Sequence, residues 1–112
     1  MHTKAFYAVL LMALSVAGAS AQTTLVMGEG QVSCGTYLQD RRNAKTTQDY
    51  VYATWVRGFL SGFNFATQGK QVSGGTEPAT ILAYLDKYCR DNPLHFLAGG
   101  AFSLVKDLGG TQ

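Results

Sequence analysis

Apolar and polar positions follow a helical period over most of the chain. Cys34, Tyr37 and Leu38 stand three and four apart, while Asp40, Arg41, Arg42 and Lys45 are polar. With Ser33 in front as an N-cap, this spacing predicts a first helix over about 34–44. Thr46 and Asp49 have the form of a capping box, and no proline follows before Ala66, so the longest helix is expected over about 48–66. At 3.6 residues per turn, Tyr50, Arg57, Ser61 and Asn64 share one narrow strip with Ala53 and Thr54. Val51, Trp55, Phe59, Leu60, Phe63 and Phe65 spread over the rest. A helix apolar over roughly half its circumference either runs through the middle of a domain or offers its surplus to a partner. Val51, Trp55, Phe59 and Phe63 are therefore the candidate protein-binding or dimer face. Gly58 and Gly62 lie inside the same helix. Each costs about 1 kcal/mol relative to alanine, which points to close packing by another helix or a large aromatic.

Further along, Gly69, Ser73, Gly74 and Gly75 break the period and mark a surface loop over 68–76. Thr76 then caps a third helix, with Glu77 and Pro78 suited to its first turn. Its stripe is Ile81, Tyr84, Leu85, Tyr88 and Cys89, and Asp86 with Arg90 forms an i,i+4 pair on the wet side. Asn92 and Pro93 stop this helix and open a fourth. That helix carries the stripe Leu97, Ala101, Leu104, Val105 and Leu108, extended backwards to Leu94, and Gly109 and Gly110 end it. The glycine-punctuated stretch 22–32 has no helical period and reads as an extended leader. The fold class is all-α: a small four-helix single domain over 22–112.

The N-terminus changes where this domain is expected to work. Lys4 precedes a weakly polar to apolar run from Ala5 to Ala17, followed by Gly18 and the small-residue triplet Ala19, Ser20, Ala21. This is the form of a secretory signal peptide over 1–21, with cleavage before Gln22. The run is shorter than the roughly 20 apolar residues a membrane span needs. The product is expected to be exported to the periplasm or beyond, with no membrane attachment after cleavage. Cys34 and Cys89 are the only cysteines, and an oxidising compartment lets them close into one disulfide. The formal net charge of +2 has no sign-segregated block, so nothing calls for nucleic acid.

Candidate chemistry is sparse. His95 is the only histidine after the leader and has no serine or cysteine near it in sequence. Glu29, Asp40, Asp49, Glu77, Asp86, Asp91 and Asp107 are scattered, each beside a cap or a base, so no pair is set for acid–base work. Two distant cysteines and one histidine make a poor metal set. No catalytic residue, metal or cofactor is expected. Aromatic residues make up 12 % of the chain, more than so short a core hides, and point towards a protein interface.

The layout resembles the HdeA-like family of periplasmic acid-stress chaperones. The resemblance rests on Cys34 opening a helix with Tyr37, on Gly58 and Phe59 in the long helix, and on Tyr88, Cys89, Arg90, Asp91, Asn92 and Pro93 before the closing helix. The chain departs from that pattern in lacking a tryptophan just before Cys34 and in its glycine-rich loop. Small periplasmic immunity proteins of type VI secretion, of the Rap and Tai kinds, are similar in the stretch from Tyr84 and Leu85 through Asn92 and Pro93 to Leu104 and Val105. The first resemblance implies a non-enzymatic binder of client polypeptides, joined as a homodimer through the long helix. The second implies a protein that neutralises a toxin through loop 68–76.

Overall fold

The computed structural model describes residues 24–68, 71–74 and 76–110. The signal peptide read over 1–21 lies outside these residues. Four α-helices and no strand stand among the described residues: α1 Cys34–Arg42, α2 Thr46–Thr67, α3 Pro78–Asp91 and α4 Leu97–Asp107. The leader is irregular over 24–27 and then forms one 3₁₀ turn, Gly28–Gln31. None of these helices is long and apolar enough to cross a membrane.

Local chemistry explains most helix ends and corrects three expected ones. Ser33 caps α1, its hydroxyl accepting from the Thr36 N–H at 3.1 Å. Arg41 and Arg42 sit in the last turn, where the helix dipole favours cations. At the start of α2 the cap position is Lys45, and the capping box of Thr46 and Asp49 does not form. Asp49 instead reaches back to Arg41 on α1 at 2.7 Å. Glu77, rather than Thr76, holds the cap position of α3, with Pro78 in its first turn. The fourth helix begins at Leu97 and not at Pro93. His95 and Phe96 are taken by the leader: the Cys34 N–H donates to the His95 carbonyl and the Leu97 N–H to the Val32 carbonyl, both at 2.9 Å. This short antiparallel pairing, centred on Ser33 and Phe96, requires extended backbone and postpones the helix.

α3 packs against each of the other three helices. Its stripe, Ile81, Leu85 and Cys89, is fully buried, and the expected disulfide joins Cys89 to Cys34 with Cα atoms 4.9 Å apart. From α2 the core takes Tyr52, Ala53, Val56 and Leu60, and from α4 Leu97, Ala101, Leu104 and Val105. Val72 is buried too, so loop 68–76 is not wholly a surface feature. Asn64 on α2 clamps it from both sides, donating to the Val72 carbonyl at 2.9 Å and accepting from the Val72 N–H at 2.7 Å.

Close packing on glycine occurs, but not at Gly58 and Gly62, where it was expected. Both are exposed, and a Cβ at either would meet nothing within 4 Å. The close approach is between α3 and α4. A Cβ on Gly100 would lie 2.8 Å from Leu85 Cδ2 and 3.1 Å from Tyr88 Cδ1, and one on Gly99 would collide with the Tyr88 hydroxyl. Bare backbone on α4 thus seats the side chains of α3. Replacing Gly58 or Gly62 by alanine should stabilise the domain by about 1 kcal/mol each, while Gly100→Ala should cost roughly 1–3 kcal/mol through overpacking. Thermal unfolding of the three variants checks this, the first two midpoints rising by about 4–8 °C.

Candidate functional site

The face expected to bind a partner is largely covered by the chain itself. Trp55, Phe59 and Phe63 are partly buried against the core, and Val51 is only 37 % exposed. The Trp55 indole N–H donates to the Met27 carbonyl at 2.9 Å, and its ring lies against Gly28 and Gly30. A side chain at Gly30 would collide with that ring, so the glycines of the leader let the backbone lie flat on the indole. Phe59 stacks on Trp55, ring centres 5.6 Å apart. The stretch read as a plain extended leader therefore covers Trp55, while Tyr50, Val51 and Phe65 of α2 stay exposed.

Apolar surface is exposed instead on the other side of the leader. A groove of about 760 Å³ runs between the leader and the connection from α3 to α4. Leu25, Val26, Leu94 and Phe96 line it, with Thr24, Gln31 and His95 as its polar side chains. Leu25 is 81 % exposed, Leu94 91 % and Phe96 56 %. The pairing of Val32–Cys34 with His95–Leu97 brings the two walls together. On one wall His95 Nδ1 lies 2.6 Å from the Tyr88 hydroxyl. Burial pushes the Tyr88 phenol up, so it stays protonated and can donate to the ring. Leu94, counted in the apolar stripe of α4, thus belongs to this open groove and not to the core.

Four of the seven scattered acids, Asp40, Asp49, Asp86 and Asp107, prove to be ties between helices. Arg41 holds Asp86 through Nε at 2.9 Å and Nη2 at 3.1 Å, and Asp49 through Nη1 at 2.7 Å. The Tyr37 hydroxyl also donates to Asp86, at 2.8 Å. One guanidinium so joins α1, α2 and α3. Tyr52 on α2 donates to Asp40 on α1 at 2.6 Å, and Tyr84 on α3 to Asp107 on α4 at 2.6 Å. Asp86 is therefore not the wet-side partner of Arg90, because it faces α1. The i,i+4 pair on that helix is Lys87 with Asp91, at 2.6 Å. Burial first, and then the carboxylate beside it, pushes the Tyr37, Tyr52 and Tyr84 phenols up. Each remains a donor at any physiological pH.

Sequence reasoning missed the Arg41 node, the Tyr88 seat on Gly99 and Gly100, and the groove. The tyrosine and acid positions were visible, but their pairing is a tertiary matter. Among the described residues no group of three His, Cys, Asp or Glu side chains could hold a metal ion. Compared with models of known protein families, with curated proteins and with solved structures, the chain matches none.

The tie between Tyr52 and Asp40 has a definite pH sense. The hydrogen bond from Tyr52, aided by Lys45 against some desolvation, holds the Asp40 carboxyl below its ordinary value of 3.8. A carboxyl depressed by folding adds stability above its unfolded pKa, and that stability is lost as pH falls through the lower folded value. Lys87 acts likewise on Asp91. Tyr52→Phe should accordingly flatten the acid limb: chemical-denaturant midpoints between about pH 5 and pH 2 should fall less steeply than in the parent chain. An equal fall in both would show that this tie contributes nothing.

Proposed function

We propose that this chain is a non-enzymatic, exported protein that binds other polypeptides, of the acid-stress chaperone kind. The observation that carries the reading is the groove, which gathers the exposed side chains of Leu25, Leu94 and Phe96 into one apolar surface. Contiguous exposed apolar surface of that sort marks a site for protein partners. The closed Cys34–Cys89 bridge fits an oxidising compartment.

Acid supplies the switch in this reading. The ties between helices end on Asp40, Asp49, Asp86 and Asp107. Of these, Asp40 is held below its ordinary value chiefly by the hydrogen bond from Tyr52, so its tie is lost as pH falls through that lower value. In strong acid the seven acids of the chain from Gln22 onward no longer balance its eight lysines and arginines, and self-repulsion loosens the helices and widens the apolar surface. The alternative role, a toxin-neutralising protein acting through loop 68–76, has less support, because Val72 in that loop is buried and held by Asn64.

The test is light scattering of an acid-aggregating client at about pH 2, where its carboxylates are protonated, with and without the chain from Gln22 onward. Suppression near equimolar ratio is the expected result. Unchanged scattering at a several-fold excess would sink the chaperone reading.

A further inference from the structure

We propose that residues 24–31 form a displaceable strap over a peptide seat on α2, and that the client segment taking the seat lays a glycine on the Trp55 ring and gives a backbone carbonyl to its N–H. The proposal rests on the polypeptide-binding reading and adds to the open groove a second site, which the folded chain keeps covered.

What fits the seat is shown by what occupies it. The Trp55 N–H donates to the Met27 carbonyl at 2.9 Å, which answers the one polar group of an otherwise apolar ring. Gly28 adopts a positive φ of 70°, and a Cβ there would lie 3.2 Å from Trp55 Cδ1. At Gly30 a Cβ would overlap the far edge of the same ring. Bare backbone at both positions lets the chain lie on the indole. Val51, Trp55, Phe59 and Phe63 follow one another at i,i+4 on α2, with Phe59 stacked on Trp55. Lifting the strap joins the indole to the exposed Val51 and lengthens one apolar stripe.

The strap is held lightly. Among residues 24–31 only Gly30 is buried, and glycine has no side chain to take apolar area out of water. Two side-chain hydrogen bonds tie the strap to α2, from Trp55 to Met27 and from Gln48 to the Glu29 carboxylate at 3.1 Å. Ordering these residues costs backbone entropy that so little burial offsets only in part. The area the strap covers on Trp55 is covered equally by a client segment on the same path. The hinge, by contrast, is fixed. Val32 is extended, its carbonyl accepts from the Leu97 N–H, and Cys34 is bonded to Cys89. The strap thus leaves the body at a defined point and opens without unfolding the helices.

The experiment is fluorescence anisotropy at neutral pH, with the chain from Gln22 onward and its Gly30→Val variant. The probe is a fluorescein-labelled peptide with the sequence of residues 24–31, blocked at both ends. The backbone at Gly30 lies outside the left-handed region, so valine there tests the space over the ring and keeps the chain's own strap from closing. The variant should bind the peptide saturably and at least tenfold more tightly than the parent, whose seat is free only in the fraction of molecules with the strap lifted. Tenfold corresponds to about 1.4 kcal/mol of strap closure. The Trp55 emission of the variant should lie to the red of the parent's and return when the peptide saturates it. The same peptide with valine at its Gly30 position should bind neither chain. Leu25→Val, at an exposed strap position, should match the parent within about twofold.

A Gly30→Val chain with the parent's emission and no affinity for the peptide overturns the proposal. So does equal affinity of the two chains, which would place the peptide elsewhere. A variant without cooperative unfolding overturns it as well, because residues 24–31 would then be part of the body. Client protection at low pH by chains that bind no peptide would separate the two ideas: the polypeptide-binding reading would stand and this seat would fall.

Discussion

The bond between Cys34 and Cys89 is the point from which the rest of the structure hangs. It fixes the first residue of α1 to the last turn of α3, with both cysteines out of contact with water. The backbone on either side then has little choice. Val32 and Cys34 pair with His95 and Leu97, which sets where α4 begins and where the leader leaves the body. The leader in turn covers Trp55 on one side and walls the groove on the other. Closing 55 residues into a loop removes unfolded-chain entropy worth about 4 kcal/mol. Against a total stability of about 5–15 kcal/mol for a typical domain, that is a large share.

The ties respond to acid in two ways. The disulfide is indifferent to carboxylate protonation, and so is the burial of Leu85 and Tyr88 against Gly99 and Gly100. Part of the contact of α1 with α2 and with α3 rests on Asp40, Asp49 and Asp86, beside the buried edge-to-face packing of Tyr37 on Tyr52. In this account acid loosens the helices where carboxylates hold them, while the bridge keeps α1, α3 and the groove within reach of one another.

Much of the fold was legible from spacing alone. The stripes of α3 and α4 stand out because one face of each is buried, and Ser33 announces α1 through its own hydroxyl. What could not be read depends on which face meets which neighbour. Gly58 and Gly62 carry the same signal as Gly99 and Gly100, two glycines inside a helical stretch. Only the placement of Tyr88 shows that the second pair is the packed one. Asp86 satisfies a local i,i+4 rule with Arg90, yet α1 brings Arg41 and Tyr37 to it, and a bidentate guanidinium outweighs an exposed pair. Ala53 and Asn64 looked like part of a polar strip, whereas one is core and the other holds a loop. The groove was hidden for a similar reason: its walls are separated by some seventy residues in sequence and meet through one short strand pairing, whose demand for extended backbone also displaced the start of α4.

The most direct measurement is equilibrium unfolding of the oxidised and the reduced chain, followed by the emission of Trp55, the only tryptophan. That ring reports the leader, and the leader depends on the bridge. Reduction should lower the unfolding free energy by about 3–4 kcal/mol and shift the native-state emission to the red as the leader lifts from the indole. A reduced chain with the same midpoint and the same emission would contradict the account, because leader and groove would then be held by something other than the disulfide.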